Sequence, residues 1–361
     1  MSERFLISPH IKIWNRVIGP KKAAFVIAEI GNNHNGDMEL AKATVIAAAR
    51  AGADAVKFQK RDISKVFTKA MRDAPNTPET SPRTAIFGKT YGEYRDKLEL
   101  SKDQLIELKG LAHSLNMAFF ATPFDLNSVE ILTQVGMDAF KISSFDVNTE
   151  GLLECVAKQG LPVILSTGMS EAEERDEAVR SILRYNSDLI VLHCVSIYPT
   201  PYKELNLGAI TTLQKRYPLN IGYSGHEVGG FIPSVAAVAL GAVAVERHFT
   251  LDKSLPGPDH TTVSLDPIEF AEMVRWIRII EAAVWDDKIY VHDAELQTRK
   301  KHSKSIVALE NIPKGTVIDA SMLTAKSPGS GIKPTLIHTV VGKVAKVDIA
   351  TDALIAYEML E

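Results

Sequence analysis

The fold is decided by the stretch Ala239-Leu-Gly-Ala-Val-Ala-Val-Glu-Arg-His248, which recurs in altered form along the chain. It begins as the end of an apolar helix, turns at a glycine, and continues as an apolar strand that ends in titratable side chains. Related stretches run from Ala49 to Gln59 and from Gln134 to Ser143. A glycine that ends a helix just before a strand is typical of βα units, so the repetition predicts a parallel sheet.

Eight apolar runs of strand length can be counted, and each is followed by a helical pattern. Eight strands that alternate with eight helices predict a closed (β/α)8 barrel, the TIM barrel, of the α/β class. The strands are expected at 25–30, 54–59, 118–122, 139–143, 162–166, 189–194, 220–224 and 243–248. The helices are expected at 37–51, 101–116, 127–135, 149–159, 170–186, 205–217, 230–240 and 267–285. A doubly wound open sheet is the alternative, but no Gly-x-Gly-x-x-Gly follows the first strand.

Two segments depart from this repeat. Residues 60–100 form an insertion after the second strand, and insertions at that end of a barrel usually cover the active site. The barrel domain is predicted to span 1–285, with a charged linker at 286–304. Residues 305–361 consist of short apolar runs separated by turn signals such as Ile312-Pro-Lys-Gly315, which predicts a small β-rich domain.

The composition limits the classes of partner. Lys and Arg number 41 against 44 Asp and Glu, a balance that does not predict nucleic acid or an anionic membrane as partner. The two cysteines, Cys155 and Cys194, are too few for a disulfide framework and fit a reducing compartment. No apolar run approaches the ~18 residues that span a bilayer, and the first residues lack the apolar core of a signal peptide. We therefore expect a soluble, cytoplasmic protein.

Polar side chains stand at the carboxyl ends of the predicted strands. Because these ends converge on one face of a barrel, we expect the side chains to form one site. They are Glu29, Lys57, Gln59, Thr122, Lys141, Ser143, Ser144, Ser166, Thr167, His193, Ser224, His226, Glu246 and His248, with Tyr198, Asp259 and His260 just beyond strand ends. Each one alone is equally well explained by an ion pair, a helix cap or a core hydrogen bond. Their joint placement is what indicates a functional site.

The residue types indicate the chemistry of that site. Two lysines with several hydroxyls suit an anion with a phosphate and a carboxylate. Imidazoles completed by carboxylate or water suit a borderline divalent ion such as Mn²⁺ or Zn²⁺, which would polarise a carbonyl as a Lewis acid. A metal-free alternative is a Schiff-base aldolase that uses Lys57 or Lys141 as the nucleophile on pyruvate.

The strand-end motifs also carry a resemblance. In order they are Ala28-Glu-Ile-Gly-Asn-Asn-His34, Val56-Lys-Phe-Gln59, Ala121-Thr-Pro-Phe124, Phe140-Lys-Ile-Ser-Ser144, Ser166-Thr-Gly-Met169, Tyr198-Pro-Thr-Pro201, Tyr223-Ser-Gly-His226, Glu246-Arg-His248 and Gly257-Pro-Asp259. This set resembles the sialic acid (nonulosonic acid) synthase family, of the N-acetylneuraminate and N,N'-diacetyllegionaminate types. The tail from Ile312 to Lys343 resembles that family's C-terminal antifreeze-like (SAF, β-clip) domain. A non-catalytic carbohydrate- or ice-binding module built on the tail is a further alternative, but it would leave the barrel's polar residues without a purpose.

The resemblance implies an activity. Phosphoenolpyruvate, water and an open-chain 2-acetamido sugar of the mannosamine type would give a nine-carbon 2-keto acid and phosphate. The sugar would be N-acetylmannosamine or 2,4-diacetamido-6-deoxymannose, with N-acetylmannosamine 6-phosphate as the alternative. The resemblance also implies a divalent cation, Mn²⁺ first with Mg²⁺ or Co²⁺ as alternatives, and a domain-swapped homodimer.

The resemblance further implies roles for residues, carried over position by position. His226 and His248 would be the metal ligands, and Glu29, Glu246 and Tyr198 would be catalytic. Substrate binding would fall to Lys57, Gln59, Thr122, Phe124, Lys141, Ser144, Ser166, Ser196 and Asp259. Either glutamate could stabilise the positive charge that develops at carbon two of phosphoenolpyruvate and could activate the water that adds there.

Two positions depart from the pattern of the family. Residue 196 is serine where bacterial members often have asparagine. Ser327 lies where many members have an arginine that reaches from one subunit's tail to the sugar in the partner's barrel, so that contact is missing, and Lys326 is a weak candidate to replace it. Lys60 and Arg61 could hold a sugar phosphate or could form a solvated face of the insertion.

Overall fold

The chain consists of two compact units, of which the first ends at Asp286 and the second ends at Glu361. The structure, a computed structural model, describes residues 7–261, 263–284, 286 and 288–361. Position 285, the predicted end of the last barrel helix, lies outside the described residues, as do positions 1–6 of the predicted barrel domain. Residues 288–304, predicted as a linker, belong to the second unit.

The strands of the first unit form a hairpin and a closed barrel. They are β1 (Ile11–Ile13), β2 (Arg16–Ile18), β3 (Phe25–Gly31), β4 (Ala55–Lys60), β5 (Ala118–Pro123), β6 (Phe140–Ile142), β7 (Val163–Ser166), β8 (Leu189–Cys194), β9 (Asn220–Gly225) and β10 (Ala244–His248). Strands β3 to β10 pair in parallel with their neighbours in sequence, and β10 returns to pair with β3. This closure confirms the predicted eight-stranded TIM barrel.

The helices of the first unit include the eight that follow the barrel strands. In chain order they are α1 (Met38–Arg50), α2 (Ile63–Val66), α3 (Lys69–Arg72), α4 (Tyr91–Lys97), α5 (Lys102–Ser114), α6 (Leu126–Val135), α7 (Glu150–Ala157), α8 (Ala172–Leu183), α9 (Ala209–Arg216), α10 (Ile232–Ala239) and α11 (Pro267–Ala283). Their ends follow local chemistry. Asp125 caps α6 by accepting from the Ser128 amide, and Gly136 ends that helix with a left-handed φ of 77°.

The β1–β2 hairpin, which the sequence did not predict, packs at the amino ends of the barrel strands. Arg16 forms an ion pair with Asp54 at the start of β4, and Asn220 at the start of β9 donates to the carbonyls of Ser8 and Pro9. Ile11 and Ile13 are buried in the core that the strands and helices share. The hairpin covers the end of the barrel opposite to the carboxyl ends of the strands.

Helices α2, α3 and α4 all belong to the insertion between β4 and α5. Asp62, Thr68 and Thr90 cap them in turn, each accepting from a backbone amide of its helix. The aromatic rings of Phe67 and Tyr91 lie 5.1 Å apart, edge to face, and pack the last of these helices against the end of the first. The insertion is therefore a structured segment beside the carboxyl end of β4.

The second unit is small and rich in short β elements. Its described elements are a helix, α12 (Leu296–His302), and an antiparallel pair, β11 (Ser305–Ala308) and β12 (Leu323–Lys326). Isolated bridges such as Ile312 with Ile349 extend the pairing around a separate apolar core. Lys326 pairs with Asp352 of the same unit, and Ser327 donates to the His302 carbonyl.

Across the described parts of the chain, no helix combines the length and the apolar character needed to cross a bilayer. The longest described helix, α11, has seventeen residues and contains charged side chains throughout.

Gly222 in β9 tests how tightly the barrel closes. A Cβ at this position would lie 2.5 Å from Leu192 Cδ2 and 2.7 Å from the Ala244 carbonyl oxygen, so Gly222→Ala should lower the free energy of unfolding by about 1–3 kcal/mol. Gly110 in α5 has open space around the same atom, and Gly110→Ala should raise the free energy of unfolding by about 1 kcal/mol. Urea unfolding of both variants checks this, and equal effects would contradict the packing described for β9.

Candidate functional site

A cavity of about 590 Å³ opens at the carboxyl ends of the barrel strands. Every barrel strand contributes a side chain to its lining. The residues for which the sequence implies a catalytic, substrate-binding or metal-binding role all line this cavity: Glu29, Lys57, Gln59, Thr122, Phe124, Lys141, Ser144, Ser166, Ser196, Tyr198, His226, Glu246, His248 and Asp259. The structure therefore brings together side chains that lie far apart in the sequence.

Four buried ionisable side chains form the bottom of the cavity, and we call them the floor quartet: Glu29, Lys57, Lys141 and Glu246. Lys57 Nζ lies 2.7 Å from Glu29 Oε2 and 3.7 Å from Glu246 Oε1. Lys141 Nζ lies 3.8 Å from the same Glu246 oxygen. The quartet carries two positive and two negative charges, so its members compensate one another in a place with little water.

The two glutamates of the quartet differ in proton affinity. Burial raises the pKa of Glu29, and the neighbouring Glu246 raises it further against the opposing effect of Lys57. Burial also opposes ionisation of Glu246, but Lys141 and Lys57 together lower its pKa below the ordinary value. Glu246 Oε2 has no hydrogen-bond partner among the described residues. Glu246 is thus the more firmly ionised carboxylate, and Glu29 is the better proton acceptor.

The lysines differ in the same way. Burial lowers the pKa of Lys57, but Glu246 and Glu29 outweigh that effect and raise it overall. Burial lowers the pKa of Lys141, and the attraction of Glu246 does not compensate fully. Both amines reach hydroxyls of neighbouring strands: Lys141 Nζ donates to Ser166 Oγ at 2.6 Å, and Lys57 Nζ donates to Thr122 Oγ1 at 3.2 Å. Amines and hydroxyls on one surface can bind an anion from several sides.

Gly168 allows the serines of the cavity to approach one another. Its amide donates to Ser144 Oγ at 2.9 Å. A Cβ on Gly168 would lie 2.3 Å from Ser196 Oγ and 2.9 Å from Ser144 Oγ, closer than real Cβ atoms come to any atom. The position therefore requires glycine for close approach of the backbone, which explains the Ser166-Thr-Gly-Met169 motif.

Two imidazoles face each other on the wall of the cavity. The ring centroids of His226 and His248 lie 5.4 Å apart, and the Tyr198 ring lies 4.1 Å from that of His226. His226 Nδ1 lies 3.0 Å from the Val195 carbonyl, which leaves its Nε2 for another partner. His248 Nδ1 has no hydrogen-bond partner among the described residues and lies 3.9 Å from Asp259 Oδ2.

This donor set can contribute to a cation site but does not complete one. No group of three or more His, Cys, Asp or Glu side chains in the described ranges is arranged to hold a metal ion. A carbonyl that orients one ring and an orphan nitrogen on the other are features of imidazoles that bind metals. Burial lowers the pKa of His248, and His226 lowers it further, which favours the neutral form that a metal requires. Burial also lowers the pKa of His226, but Cys194 outweighs that effect and raises it overall. The two imidazoles therefore fit a cation whose remaining ligands come from substrate and water.

Three predicted strand-end residues do not line the cavity. His193 Nε2 lies 2.8 Å from the Leu205 carbonyl, because the side chain points away from the barrel axis. Thr167 donates to the Leu192 carbonyl, and His260 Nδ1 lies 2.6 Å from Thr250 Oγ1. These residues satisfy local backbone and side-chain groups, which corrects the prediction that they belong to the site.

Other residues that the sequence patterns do not predict also line the cavity, among them Asn32, Tyr91, Arg95 and Cys194. Of Lys60 and Arg61, only Arg61 lines the cavity, since Lys60 Nζ donates to Glu99 and to the Leu100 carbonyl. The insertion supplies Arg61, Tyr91 and Arg95, so it borders the cavity. Cys194 could have been found from strand alternation, because it lies two residues beyond Leu192 on the inward face of β8.

A fully buried ion pair lies just outside the barrel wall, behind the imidazoles. Arg247 and Glu227 have no exposed side-chain surface, and Arg247 Nη1 lies 2.5 Å from Glu227 Oε1. Arg247 also donates to Ser234 Oγ at 3.1 Å and to the Glu227 carbonyl at 3.0 Å, and Tyr223 donates to Glu227 Oε2 at 2.9 Å. Because Glu227 follows His226 and Arg247 precedes His248, this pair ties together the two segments that carry the imidazoles.

The fold and the cavity define the class of protein: a TIM barrel with a polar site at the carboxyl ends of its strands, followed by a separate β-rich unit. Within that class the chain belongs to the NeuB family, whose model matches residues 44–288, and residues 303–361 match the SAF domain. Both matches agree with the resemblance seen in the motifs.

Relatives with known names support the same placement. The chain is 39% identical to the N-acetylneuraminate-9-phosphate synthase of Homo sapiens, over 96% of this chain and 95% of that protein. It is 38% identical to the N,N'-diacetyllegionaminic acid synthase of Legionella pneumophila, over 95% of this chain and 96% of that protein. Its structure is similar to that of N-acetylneuraminic acid (sialic acid) synthetase from Leptospira borgpetersenii, with a TM-score of 0.70, 35% identity, and coverage of 81% of this chain and 95% of that one.

The buried ion pair gives a stability prediction. Arg247→Met would leave the Glu227 carboxylate buried without its cation and should lower the free energy of unfolding by about 3–5 kcal/mol. The double variant Arg247→Met with Glu227→Gln should recover part of that loss, because no charge is then left unpaired. Arg180→Met removes a solvent-facing partner of Glu177 and should change the free energy of unfolding by less than about 1 kcal/mol. Chemical unfolding of the three variants would refute the role of the pair if Arg247→Met resembled Arg180→Met.

Proposed function

We propose that the protein is a nonulosonic acid synthase that condenses phosphoenolpyruvate with an open-chain 2-acetamido sugar of the mannosamine type and water. The products are a nine-carbon 2-keto acid and inorganic phosphate. The observation that carries the proposal is the shared cavity, in which an anion-binding floor of lysines and hydroxyls lies beside two imidazoles and two glutamates of unlike pKa. The names of the human and Legionella relatives support the same reaction class.

The floor quartet and its hydroxyls would bind phosphoenolpyruvate. They present two amine–hydroxyl pairs, Lys57 with Thr122 and Lys141 with Ser166, and the two groups of each pair lie within hydrogen-bond distance. The phosphate and carboxylate of phosphoenolpyruvate would accept charge-assisted hydrogen bonds from the lysines. These bonds would replace some of those that the lysines otherwise make to the glutamates. Ser144 and Ser196, held close by Gly168, would complete the contacts on the side of β6 to β8.

The sugar would lie above phosphoenolpyruvate with its aldehyde toward the imidazoles. His226 and His248 would hold a divalent cation, with Mn²⁺ as the first candidate and Mg²⁺ or Co²⁺ as alternatives; when bound, it supplies Lewis-acid polarisation of a carbonyl. Tyr198 packs against the His226 ring at 4.1 Å and would orient the sugar over it. Asp259, 3.9 Å from His248, and Gln59, which donates to Glu29 at 2.8 Å, would accept or donate to sugar hydroxyls.

The carboxylates of Glu246 and Glu29 would stabilise positive charge and accept a proton, respectively. A bond forms between carbon three of phosphoenolpyruvate and the aldehyde carbon, the aldehyde oxygen takes up a proton, and carbon two becomes cationic. The ionised Glu246, whose Oε2 has no partner among the described residues, would stabilise that cation. Glu29, with its raised pKa, would accept the proton of the water that adds to carbon two. The bond from carbon two to the phosphate oxygen then breaks as the added hydroxyl loses its proton and becomes the 2-keto group. Of the two protons of the water, one replaces the proton that the aldehyde oxygen took up and one leaves with the phosphate, whose charge the lysines partly neutralise.

One observation favours a second candidate function, the Schiff-base aldolase. The pKa of Lys141 is lowered by burial, and a lysine with a lowered pKa is the nucleophile that such an enzyme requires. In that reaction the imidazoles would have no metal to hold. The same assay separates the two functions. Mn²⁺ as the cation, a homodimer with exchanged tail domains and cytoplasmic location stay predictions from the sequence.

A phosphate-release assay tests the main proposal. The protein with phosphoenolpyruvate and N-acetylmannosamine, its 6-phosphate, or 2,4-diacetamido-6-deoxymannose should release inorganic phosphate with at least one sugar. EDTA should abolish the release and Mn²⁺ should restore it. Titration of Mn²⁺ should show affinity that rises with pH, because both imidazoles must be neutral to bind. Imine trapping by borohydride together with indifference to EDTA would establish the aldolase instead.

The division of labour between the glutamates gives a prediction about pH. Because Glu29 acts as a base only when ionised and its pKa is raised, phosphate release should fall as pH decreases through a range above that of an ordinary carboxyl group. Glu29→Gln should lower kcat by about 10²–10⁴-fold and remove that acidic limb. Glu246→Gln should also lower kcat but should retain the limb, moved to lower pH because Glu246 no longer raises the pKa of Glu29. Equal mild losses with unchanged pH profiles would contradict both roles.

A further inference from the structure

The arginines contributed by β4–α2 and by α4 lie side by side in the cavity. The Asn32 amide oxygen, in the orientation that satisfies its neighbours, accepts from Arg95 Nη1 at 3.2 Å and from Arg61 Nη1 at 3.3 Å. Arg61 is buried and Arg95 is half-buried, and both line the cavity. We call these two residues the rim pair. They come from the insertion and its border rather than from the floor of the barrel.

The rim pair is poorly neutralised by the protein. Glu99 lies 3.6 Å from Arg61 Nη1, but it also accepts from Lys60 Nζ at 3.0 Å. Among the described residues no carboxylate comes within 4.0 Å of a nitrogen of Arg95, whose Nε donates to the neutral Tyr91 hydroxyl at 3.0 Å. Arg61 thus shares its carboxylate partner with a lysine, and Arg95 has no carboxylate at ion-pair distance among the described residues.

Holding two like charges in this place has a cost. Burial lowers the pKa of Arg61, and the neighbouring Arg95 lowers it further. Stacking on aromatic rings supports the guanidinium groups without neutralising them: Arg61 lies 4.4 Å from the Phe124 ring centroid, and Arg95 lies 4.9 Å from that of Tyr94. Planar guanidinium groups that are held side by side and line one cavity are suited to a phosphate or a carboxylate.

The position of Asp259 relates the rim pair to the imidazoles. Asp259 Oδ2 lies 3.9 Å from His248 Nδ1. Asp259 lines the same cavity as the two imidazoles and the rim pair. A sugar whose aldehyde lies at the imidazoles can therefore extend past Asp259 toward the rim pair, while the lysines remain with phosphoenolpyruvate.

We propose that the rim pair binds an anionic group, a phosphate or a carboxylate, that the sugar carries at the end remote from its aldehyde. This inference rests on the proposed condensation and selects among its substrates. It excludes the neutral N-acetylmannosamine and the neutral 2,4-diacetamido-6-deoxymannose as preferred substrates. Arg61 and Arg95 would then determine substrate specificity. The alternative is a structural role, in which the two arginines only pack the insertion against Phe124, Tyr91 and Tyr94.

The test compares three sugars in the phosphate-release assay with phosphoenolpyruvate and Mn²⁺: N-acetylmannosamine, its 6-phosphate, and N-acetylmannosaminuronic acid, which carries a carboxylate at carbon six. We expect kcat/KM for one of the anionic sugars to exceed that for the neutral sugar by about 10–100-fold, the value of one or two hydrogen bonds to a charged group. The anionic sugar with the higher kcat/KM shows whether the rim pair binds a phosphate or a carboxylate. Arg95→Gln should reduce the ratio of anionic to neutral efficiency about 10-fold or more, chiefly through KM. Arg95→Lys should retain part of it.

Lys65→Gln is the matched control, because it removes a positive charge from an exposed position of the same insertion that does not line the cavity. In Lys65→Gln the ratio of kcat/KM for the anionic sugar to kcat/KM for the neutral sugar should equal that of the unsubstituted protein. A preference for the neutral sugar, or equal losses for all sugars in Arg95→Gln, would overturn the inference while the proposed function stands. If no sugar releases phosphate, the condensation is refuted, and calorimetric titration with N-acetylmannosamine 6-phosphate tests the anion site by itself. Binding that is weakened in Arg95→Gln and unchanged in Lys65→Gln would support the anion site. Absence of binding refutes the site.

Discussion

Mutual neutralisation of buried charges at the carboxyl ends of the strands is the constraint on which the site depends. Lys57 lies within 3.7 Å of both Glu29 and Glu246, so removal of any member leaves an uncompensated charge in a region from which water is largely excluded. The same balance makes the two glutamates unlike, since the lysines act more strongly on one than on the other. Two residues of the same type thus differ in pKa because they occupy different positions in one cluster.

The barrel and most of its cavity could be predicted because two regularities act together. Helix, glycine and strand recur, which sets the element order, and side chains alternate along each strand, which sets the face that each residue occupies. Lys141, Ser166 and Glu246 lie far apart in the sequence, yet all are inward residues near the carboxyl end of a strand. The strand bounds shifted by no more than a residue or so from the apolar runs, and such shifts do not alter the inward set.

Other features could not be predicted, for reasons that differ. Arg95 belongs to the insertion, where no period relates a residue to the barrel axis, and its place depends on contacts with Asn32 and Tyr91. His193 was included for its chemistry, although alternation along β8 places its neighbour Cys194 inside and His193 against Leu205. The β1–β2 hairpin is too short for its apolar pattern to be distinguished from a loop.

The alternation along β10 has a consequence for how this sequence can change. Glu246 and His248 face the cavity while Arg247, between them, reaches Glu227 behind the wall. Exchange of one residue alters one of these contacts, but loss or gain of a single position within the strand would turn an arginine inward and two reacting groups outward at once. The strand should therefore tolerate the replacement of single residues better than the insertion or deletion of one. Related sequences that differ widely in the residues of this strand should still keep the same number of residues in it.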